Sequence, residues 1–248
     1  MKPAAEAFDL AEWPAAILAG GLAKRLRPIT ETIPKALVDV AGQPFLSHQL
    51  RLLHGAGVRK VVLGVGYRGK MIEEEFGDGA AFGIELKYSF DGPDLLGTGG
   101  AIKKALPLLG ERFLVLYGDS YLPIDYTAPA RAFAQSGKPG LMTVFKNENR
   151  WDPSNVWFEA DEIKQYDKRN LRPEMKHIDY GLGFLRPAAF AHRPEVTPFD
   201  LADLYQDLVR EKQLAGYEVK HRFYEIGSPQ GLAELDSMLR AQQLPVTL

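Results

Sequence analysis

The chain has 248 residues, of which 46% are hydrophobic and 25% are charged, the composition of a globular protein with a full core. Its formal net charge of −2 excludes a bulk electrostatic attraction to nucleic acid or to an anionic membrane. Cysteine is absent, which excludes disulfides, thiolate metal sites and a cysteine nucleophile. A site for a polyanionic ligand must therefore be built from local clusters of charge.

The first residues, Met1 to Trp13, mix acidic residues with alanine and lack the basic start and apolar run of a signal peptide. No stretch approaches the roughly 18 consecutive apolar residues of a membrane span. We therefore expect a cytoplasmic protein without membrane or nucleic-acid partners. The sequence leaves a homo-oligomer open.

Strands and helices are predicted to alternate through the first half of the chain. In order they are strand Ala15–Ala19, helix Pro44–Gly55, strand Lys60–Val65, helix Gly69–Phe76, strand Ile84–Tyr88, a glycine turn at Gly97–Gly100, a helix ending near Leu109, and strand Phe113–Tyr117. Short connections between such units indicate a mainly parallel sheet with helices on both faces, a Rossmann-like α/β fold.

The second half is predicted to contain strands that are closer to antiparallel hairpins. These are Leu141–Phe145, Val156–Glu159, Ile163–Tyr166, Ile178–Leu185 and a short strand Val219–Tyr224, with helices near Tyr126–Ser136, Leu201–Lys212 and Pro229–Gln242. We expect one domain over residues 1–248. Residues from about 14 to 140 would form the parallel sheet, and residues from about 141 to 248 would form a smaller antiparallel lobe.

The loop after the first strand carries two adjacent glycines and three cations within eight residues. They are Gly20, Gly21, Lys24, Arg25 and Arg27. Backbone N–H groups exposed by glycines, with Arg and Lys nearby, suit a triphosphate. Arginine can also hold phosphate oxygens in bidentate fashion, which lysine cannot. A glycine turn with solvated charges is the structural alternative.

Two familiar phosphate-binding loops do not fit this segment. The sequence has no G-x-x-x-x-G-K-[ST] motif. The G-x-G-x-x-G motif also fails, because Ala23 stands where a glycine is needed two residues after Gly21. Both a P-loop ATPase and a NAD-binding dehydrogenase are therefore weakened as interpretations.

The run Gly20-Gly21-x-x-x-Arg25-Leu26-x-Pro28-x-Thr30, followed by Pro34-Lys35, resembles the opening motif of the sugar-1-phosphate nucleotidyltransferases. The resemblance continues through Val40–Pro44, Leu96–Ala101, Gly118-Asp119 and Glu225–Pro229. It implies a glycosyltransferase-A-like fold with a nucleotide-binding half followed by a sugar-phosphate-binding half. It further implies that the opening loop wraps the triphosphate of a nucleotide substrate, and that Arg25 and Lys35 are catalytic and stabilise the phosphates.

The same resemblance implies a set of nucleotide-binding residues. They are Leu18, Ala19, Gly20, Gly21, Lys24, Gly97, Thr98 and Gly99, with Tyr88 and Asp91 as less distinctive candidates. Two departures stand in the opening motif. Ala23 occupies the third glycine of the family pattern, where a backbone with positive φ would be strained. Lys24 replaces a small hydroxyl residue, so a phosphate contact there is either ionic or lost.

Two carboxylates are predicted at strand ends. Asp119 follows an apolar strand and a glycine, and the carboxyl ends of strands are where open α/β sheets bind ligands. Glu225 precedes a Gly-x-Pro turn. Magnesium takes one or two carboxylates together with substrate phosphate oxygens and water. The resemblance implies that Asp119 is catalytic and holds Mg²⁺ with Glu225, although Glu stands where the family has Asp.

Four residues of the second half are implied to bind the sugar 1-phosphate. Lys168 resembles a lysine that pairs with the sugar phosphate, and its neighbour Asp167 resembles an acid that binds a sugar hydroxyl. Asp179 and Gly181 lie where the family places a strand residue and a glycine under the sugar ring. Arg169 replaces the family's proline after Lys168. A solvated turn is the structural alternative.

The resemblance thus predicts an Mg²⁺-dependent enzyme that joins a sugar 1-phosphate to a nucleoside triphosphate. In wording, Val65–Glu73 and Phe76–Gly79 are most similar to heptose-1-phosphate guanylyltransferases, followed by mannose-1-phosphate guanylyltransferases. No single residue indicates guanine. A non-catalytic sugar-nucleotide sensor of the same fold, and a Rossmann dehydrogenase, are the alternatives.

Overall fold

A computed structural model describes residues 8–193 and 197–243 of the chain. The first seven residues of the segment that lacks signal-peptide features lie outside these ranges. The strands are β1 (Ala15–Leu18), β2 (Asp39–Val40), β3 (Gln43–Pro44), β4 (Lys60–Val65), β5 (Glu85–Phe90), β6 (Phe113–Tyr117), β7 (Ser120–Tyr121), β8 (Gly140–Lys146), β9 (Val156–Glu159), β10 (Glu162–Tyr166), β11 (His177–Leu185), β12 (Leu214–Val219) and β13 (Tyr224–Glu225). The helices are α1 (Phe45–Gly55), α2 (Gly69–Phe76), α3 (Gly97–Leu109), α4 (Thr127–Ser136), α5 (Leu201–Arg210) and α6 (Pro229–Gln243).

The central sheet is parallel in its first half and mixed in its second. Strands β5, β4, β1 and β6 lie side by side and run parallel. Strand β11 pairs antiparallel with β8 along one edge, and along its other edge with β6 and, at His177, with β9. Strand β12 then adds to β8 in parallel. The predicted α/β fold is therefore confirmed, with the antiparallel pairing centred on β11.

The buried strands are apolar throughout because both faces of the sheet are covered. Along β1, Ala15 and Ile17 point to one face and Ala16 to the other, as the period of two requires. One face packs against apolar residues of α1, α2 and α4. The opposite face packs against α3 and α5. The sheet therefore sits between two helical layers, and its strand ends remain free to form a site.

A third core cluster joins the C-terminal helix to the small hairpin β2–β3. Leu235 and Leu239 of α6 pack with Val38 and Val40, and Asp236 accepts a hydrogen bond of 2.7 Å from the backbone N–H of Ala41. Ile226, directly after β13, is buried in the same cluster, so helix α6 holds the end of β13 in place. Among the described residues, no helix is both long and apolar enough to cross a membrane.

Two local predictions were wrong. The glycines at 97–100 form the first turn of α3, because the N–H groups of Gly99 and Gly100 donate to the carbonyl of Phe199, at 3.0 and 3.3 Å. The strand predicted at Val219–Tyr224 is also displaced, because the structure has β12 at Leu214–Val219 and the two-residue β13 at Tyr224–Glu225. Gly216 interrupts the apolar pattern of β12, because the ring of Phe158 packs where a Cβ would stand.

Candidate active site

A cavity of about 240 Å³ opens at the carboxyl ends of β1, β4 and β6, beside the first turn of α3. Among the residues that line it are most of the predicted nucleotide-binding and catalytic positions: Leu18, Ala19, Gly20, Gly21, Lys35, Gly97, Thr98 and Asp119. Asp91 and Tyr117 line it as well. The structure thus brings together, in one concave space, residues that lie as far apart as the first and sixth strands.

Close approach of backbones shapes the floor of this cavity. A Cβ on Gly118 would overlap the carbonyl oxygen of Leu18, to which the Gly118 N–H also donates a hydrogen bond of 3.0 Å. Only glycine allows β6 to come this near the end of β1. The glycine before Asp119 is therefore required by packing, and it sets where the carboxylate emerges.

Two of the eight predicted nucleotide-binding residues lie outside the cavity lining, and so does the candidate Tyr88, whose hydroxyl donates to the Gly77 carbonyl at 2.8 Å. Lys24 is exposed on the loop. Gly99 faces the ring of Phe199, which a Cβ would overlap. Thr98 does line the cavity, but its hydroxyl donates to the Asp200 carboxylate at 2.9 Å and accepts from the Leu201 N–H at 2.8 Å. The side chain of Thr98 therefore serves to join α3 to the start of α5.

Asp119 and Lys35 form an ion pair at one end of the cavity. Their Oδ2 and Nζ atoms are 2.9 Å apart, with side-chain exposures of 30% and 17%. Lys35 begins a short 3₁₀ helix after Pro34, which directs the ammonium back toward the strand ends. The pair shows that the opening loop and the end of β6 meet at a single point.

Glu225 reaches this point from the far end of the chain through a two-residue ladder. Strand β13 pairs with β7, placing Glu225 opposite Ser120, and the Ile226 N–H donates to the Asp119 carbonyl at 2.9 Å. A Cβ built on Gly227 would lie 3.3 Å from Asp119 Oδ2 and 3.0 Å from Arg25 Nη2, next to the Glu225 carboxylate. Two carboxylates and a guanidinium therefore converge around Gly227.

The Glu225 carboxylate faces the backbone turn that directly follows it in the chain. It accepts from the Gly227 N–H and from the Ser228 hydroxyl, the latter at 2.7 Å. The extra methylene of Glu, relative to the Asp of the family pattern, is taken up by this fold-back. Each carboxylate oxygen has a second lone pair, so these bonds leave acceptor capacity for another partner.

The two acids fit a magnesium ion by their chemistry. Within the described ranges, no three His, Cys, Asp or Glu residues form a cluster that could hold a metal by themselves. Mg²⁺ needs fewer protein ligands, because it keeps several waters and takes oxygens from the phosphates of a substrate. Asp119 and Glu225 would supply the two carboxylates, beside the cations Lys35 and Arg25.

Glu225 and Arg25 line a second cavity of about 270 Å³, and both lie near Asp119 of the first cavity around Gly227. Sequence reasoning did not find its other basic residues, Arg150 and Arg222. Arg222 lies 4.4 Å from the ring centre of Trp151 and forms a two-pronged ion pair with Glu234, at 2.6 and 3.0 Å. No pattern in the sequence signals this contact, because it joins a loop after β8 to helix α6.

The residues predicted to bind the sugar 1-phosphate differ in their exposure and in their hydrogen-bond partners. Asp167 closes a turn, since its carboxylate accepts from the N–H groups of Arg169 and Asn170 at 2.7 and 2.9 Å. These bonds, the one from Asn170 foremost, lower the pKa of Asp167. The side chain of Lys168 is partly exposed, with its Nζ 4.0 Å from Asp179 Oδ2, whereas the side chain of Asp179 is only 5% exposed. Asp167 is thus a turn former in the structure, and a sugar contact by it stays a prediction.

Ala23 lies in the left-handed region, at φ 46° and ψ 43°, as the comparison with the family's third glycine led us to expect. Its carbonyl accepts from the Thr30 hydroxyl at 2.9 Å and from the Leu26 N–H at 3.0 Å. These bonds hold the strained residue in place. The loop therefore keeps the glycine conformation without the glycine.

Ala23→Gly is expected to stabilise the protein by about 1 kcal/mol, the steric cost of a left-handed alanine less the greater chain entropy of glycine. Denaturant unfolding measures the change. Ala134→Gly, within helix α4, is the matched control and should destabilise by about 1 kcal/mol. Equal destabilisation by both substitutions would contradict the strain at Ala23.

Comparison with known proteins finds a family model and relatives that match most of the chain. Residues 14–155 match the family model described as "Nucleotidyl transferase". The chain is 31% identical to N-acetylmuramate alpha-1-phosphate uridylyltransferase of Neisseria meningitidis, covering 92% of this chain and 98% of that protein. It is 30% identical to the catalytic subunit beta of mannose-1-phosphate guanylyltransferase of Drosophila melanogaster, covering 93% of this chain but only 65% of that protein.

A likeness in fold extends to solved structures. A putative glucose-1-phosphate thymidylyltransferase from Bacillus anthracis superimposes with a TM-score of 0.78 at 18% identity, covering 92% of this chain and 95% of the other. At that identity the likeness concerns the fold alone. The family is shown by the family match and by the relative of nearly equal length. The chain belongs to the nucleotidyl transferase family, the sugar-1-phosphate nucleotidyltransferases that its opening loop resembles.

Proposed function

We propose that this protein transfers a guanylyl group from GTP to a sugar 1-phosphate of manno configuration, heptose or mannose, and releases pyrophosphate. The observation that carries the proposal is the meeting of Asp119, Glu225 and Arg25 around Gly227, at the end of a cavity lined by the glycine loop. A single basic loop would bind a phosphate. Two carboxylates beside that loop could hold the metal ion that neutralises charge in a reaction between two anionic substrates.

The reaction is an in-line displacement at the α-phosphorus of the nucleotide. A non-bridging phosphate oxygen of the sugar 1-phosphate forms the new P–O bond, and the bond to the β-phosphate oxygen breaks as pyrophosphate leaves. Phosphate monoesters are largely dianionic at neutral pH, since their second pKa is about 6. No side chain has to remove a proton from the nucleophile. Positioning and charge neutralisation then account for the catalysis.

The cations of the site divide this task between the two substrates. Arg25 and Lys35 stand beside the carboxylates and would stabilise the nucleotide phosphates, while Lys168 would meet the phosphate of the sugar. Bound Mg²⁺ would neutralise phosphate charge between Asp119 and Glu225. Repulsion between two polyanions is the main obstacle to this reaction, and fixed positive charge lowers it.

Asp91 supports guanine as the base. Its side chain lines the cavity, the residue is 8% exposed, and Oδ2 accepts a hydrogen bond of 3.3 Å from the Leu96 N–H. Guanine presents two adjacent donors, the ring N–H and the exocyclic amino group, which a carboxylate can accept together. Uracil offers one donor only. Mannose-1-phosphate guanylyltransferases among the relatives agree with this choice, whereas the uridylyltransferase does not.

The test measures pyrophosphate release from GTP, ATP, CTP, UTP and dTTP, each with heptose, mannose, glucose and N-acetylmuramate 1-phosphates. Turnover is expected with GTP and a manno sugar. A clear preference for UTP would overturn the choice of base but not of the reaction. Tight nucleotide binding without turnover by any pair would overturn the enzyme and favour a sugar-nucleotide sensor.

The same panel tests Asp91. Asp91→Asn is expected to lower kcat/KM for GTP by about 10- to 100-fold, the discrimination that a two-point contact to a base provides. Burial raises the pKa of the Asp91 carboxyl. Protonation, which removes an acceptor, therefore sets in at a higher pH than for an ordinary aspartate, and KM for GTP should increase as the pH falls. A KM that is independent of pH in the wild type would contradict this role.

A further inference from the structure

Asp179 is a buried carboxylate surrounded by hydrogen-bond donors. Oδ2 accepts from the hydroxyls of Tyr117 and Tyr166, at 3.1 and 3.2 Å, and Oδ1 accepts from the Gly181 N–H at 3.1 Å. Burial is the main cause that raises the pKa of both tyrosines, so they remain protonated donors at neutral pH. With 5% of its side chain exposed, the carboxylate offers little surface to a sugar hydroxyl.

Lys168 is the cation that faces this carboxylate. Its Nζ lies 4.0 Å from Asp179 Oδ2, 5.0 Å from the ring centre of Tyr117 and 5.8 Å from that of Tyr166. The lysine side chain is 41% exposed. The ammonium is therefore held on its inner side by one negative charge and two aromatic faces, while its outer side remains open to a ligand.

We propose that Asp179 is a positioning residue, which orients the Lys168 ammonium toward the phosphate of the sugar substrate and does not itself bind the sugar. This inference rests on the proposed function, because it takes the phosphate of the sugar substrate as the ligand of Lys168. It replaces the direct sugar contact that the family resemblance implied for Asp179.

The surrounding fold explains why such a residue is needed. A free lysine loses up to about 2 kcal/mol of side-chain entropy when a ligand fixes it, and a carboxylate that already restrains the ammonium reduces this loss on binding. Tyr117 is the last residue of β6 and directly precedes Gly118 and Asp119. The two tyrosines and Asp179 therefore also fix the spacing between Lys168 and the carboxylates of the proposed metal site. One network thus aligns both halves of the site.

A double-mutant cycle tests this role. The dissociation constant for mannose 1-phosphate is measured by calorimetry for the wild type, Asp179→Asn, Lys168→Ala and the double variant. We expect Lys168→Ala to weaken binding about tenfold and Asp179→Asn about fivefold, the range of a partly buried ion pair. In the Lys168→Ala background, Asp179→Asn should change binding less than about twofold, because the group through which it acts is gone.

Tyr166→Phe provides a second variant that keeps the ring and the buried charge. It removes one donor to Asp179 and should weaken binding by a smaller factor, with the same dependence on Lys168. Asp236→Asn is the matched control, since this aspartate also accepts a backbone N–H and lies beside an arginine on α6, outside the site. Its effect on binding should be negligible.

The outcomes separate the inference from the proposed function. Equal effects of Asp179→Asn in both lysine backgrounds, or no effect in either, would overturn the inference. So would a wild type that binds neither mannose 1-phosphate nor inorganic phosphate, since Lys168 would then have no phosphate to meet. Coupled binding effects without turnover by any nucleotide pair would leave the inference standing and overturn the transferase.

Discussion

Asp119→Asn is expected to abolish magnesium-dependent pyrophosphate release while leaving the fold intact. The amide has the shape of the carboxylate but no charge, so it is a poor ligand for Mg²⁺ and no longer pairs with Lys35 at 2.9 Å. We expect a loss of at least about 10³-fold in kcat, which corresponds to about 4 kcal/mol of transition-state stabilisation. The carboxylate is 30% exposed, so unfolding free energy should change by at most about 1 kcal/mol.

The measurement is the rate of pyrophosphate release during a titration with MgCl₂, with urea unfolding as the check on folding. Asp161→Asn is the matched control, because Asp161 is exposed in the turn between β9 and β10 and an asparagine accepts its φ of 58°. The control should behave as the wild type. Unchanged activity of Asp119→Asn would refute the assignment of the metal to this carboxylate.

Arg25→Ala is expected to give the second largest loss, about 10²- to 10³-fold in kcat/KM, the usual effect of removing one fixed donor to developing phosphate charge. The guanidinium lies beside the point where Asp119 and Glu225 converge, and the residue is exposed. Its removal should therefore alter unfolding free energy by less than about 0.5 kcal/mol. Activity and stability are thus affected separately.

Two further variants make the Arg25 experiment specific. Arg25→Lys keeps the charge but loses the two-pronged geometry, so it should recover only part of the activity. Arg27→Ala removes a cation of equal charge two residues along the same exposed loop and should change kcat/KM by less than about threefold. Equal losses from Arg25→Ala and Arg27→Ala would indicate a general electrostatic effect of the loop instead of a phosphate contact.

The parallel half of the fold was predictable from sequence because its strands are buried on both faces. Continuous apolar runs such as Lys60–Val65 and Phe113–Tyr117 have the bounds that periodicity predicts. Strand β12 was not predictable in this way, since Gly216 and Glu218 break its apolar pattern and its place depends on pairing with β8. Helix α3 begins at its glycines only because the Phe199 carbonyl accepts their N–H groups.

The site residues were predictable where an ionisable side chain closely follows a predicted strand. Asp119 and Glu225 were both expected at strand ends, and the resemblance assigned the metal to them. The environment of Asp179 was not predictable, because its partners Tyr117 and Tyr166 come from two other strands and neither carries a distinctive mark. Tyr117 directly precedes Gly118-Asp119 and Tyr166 directly precedes Asp167. Their position next to predicted site residues was the available signal.

The ladder between β7 and β13 has a consequence for the order in which the active site is assembled during synthesis. The glycine loop, the first cavity and Asp119 all belong to the earlier part of the chain, within the residues that match the family model. Glu225 joins them only when β13 reaches β7 and α6 packs on the β2–β3 hairpin. A nascent or nicked chain that ends at residue 155 would therefore hold the phosphate loop and one acid without the second. On the proposed assignment of Glu225 as a metal ligand, activity would require the pairing of β13 with β7.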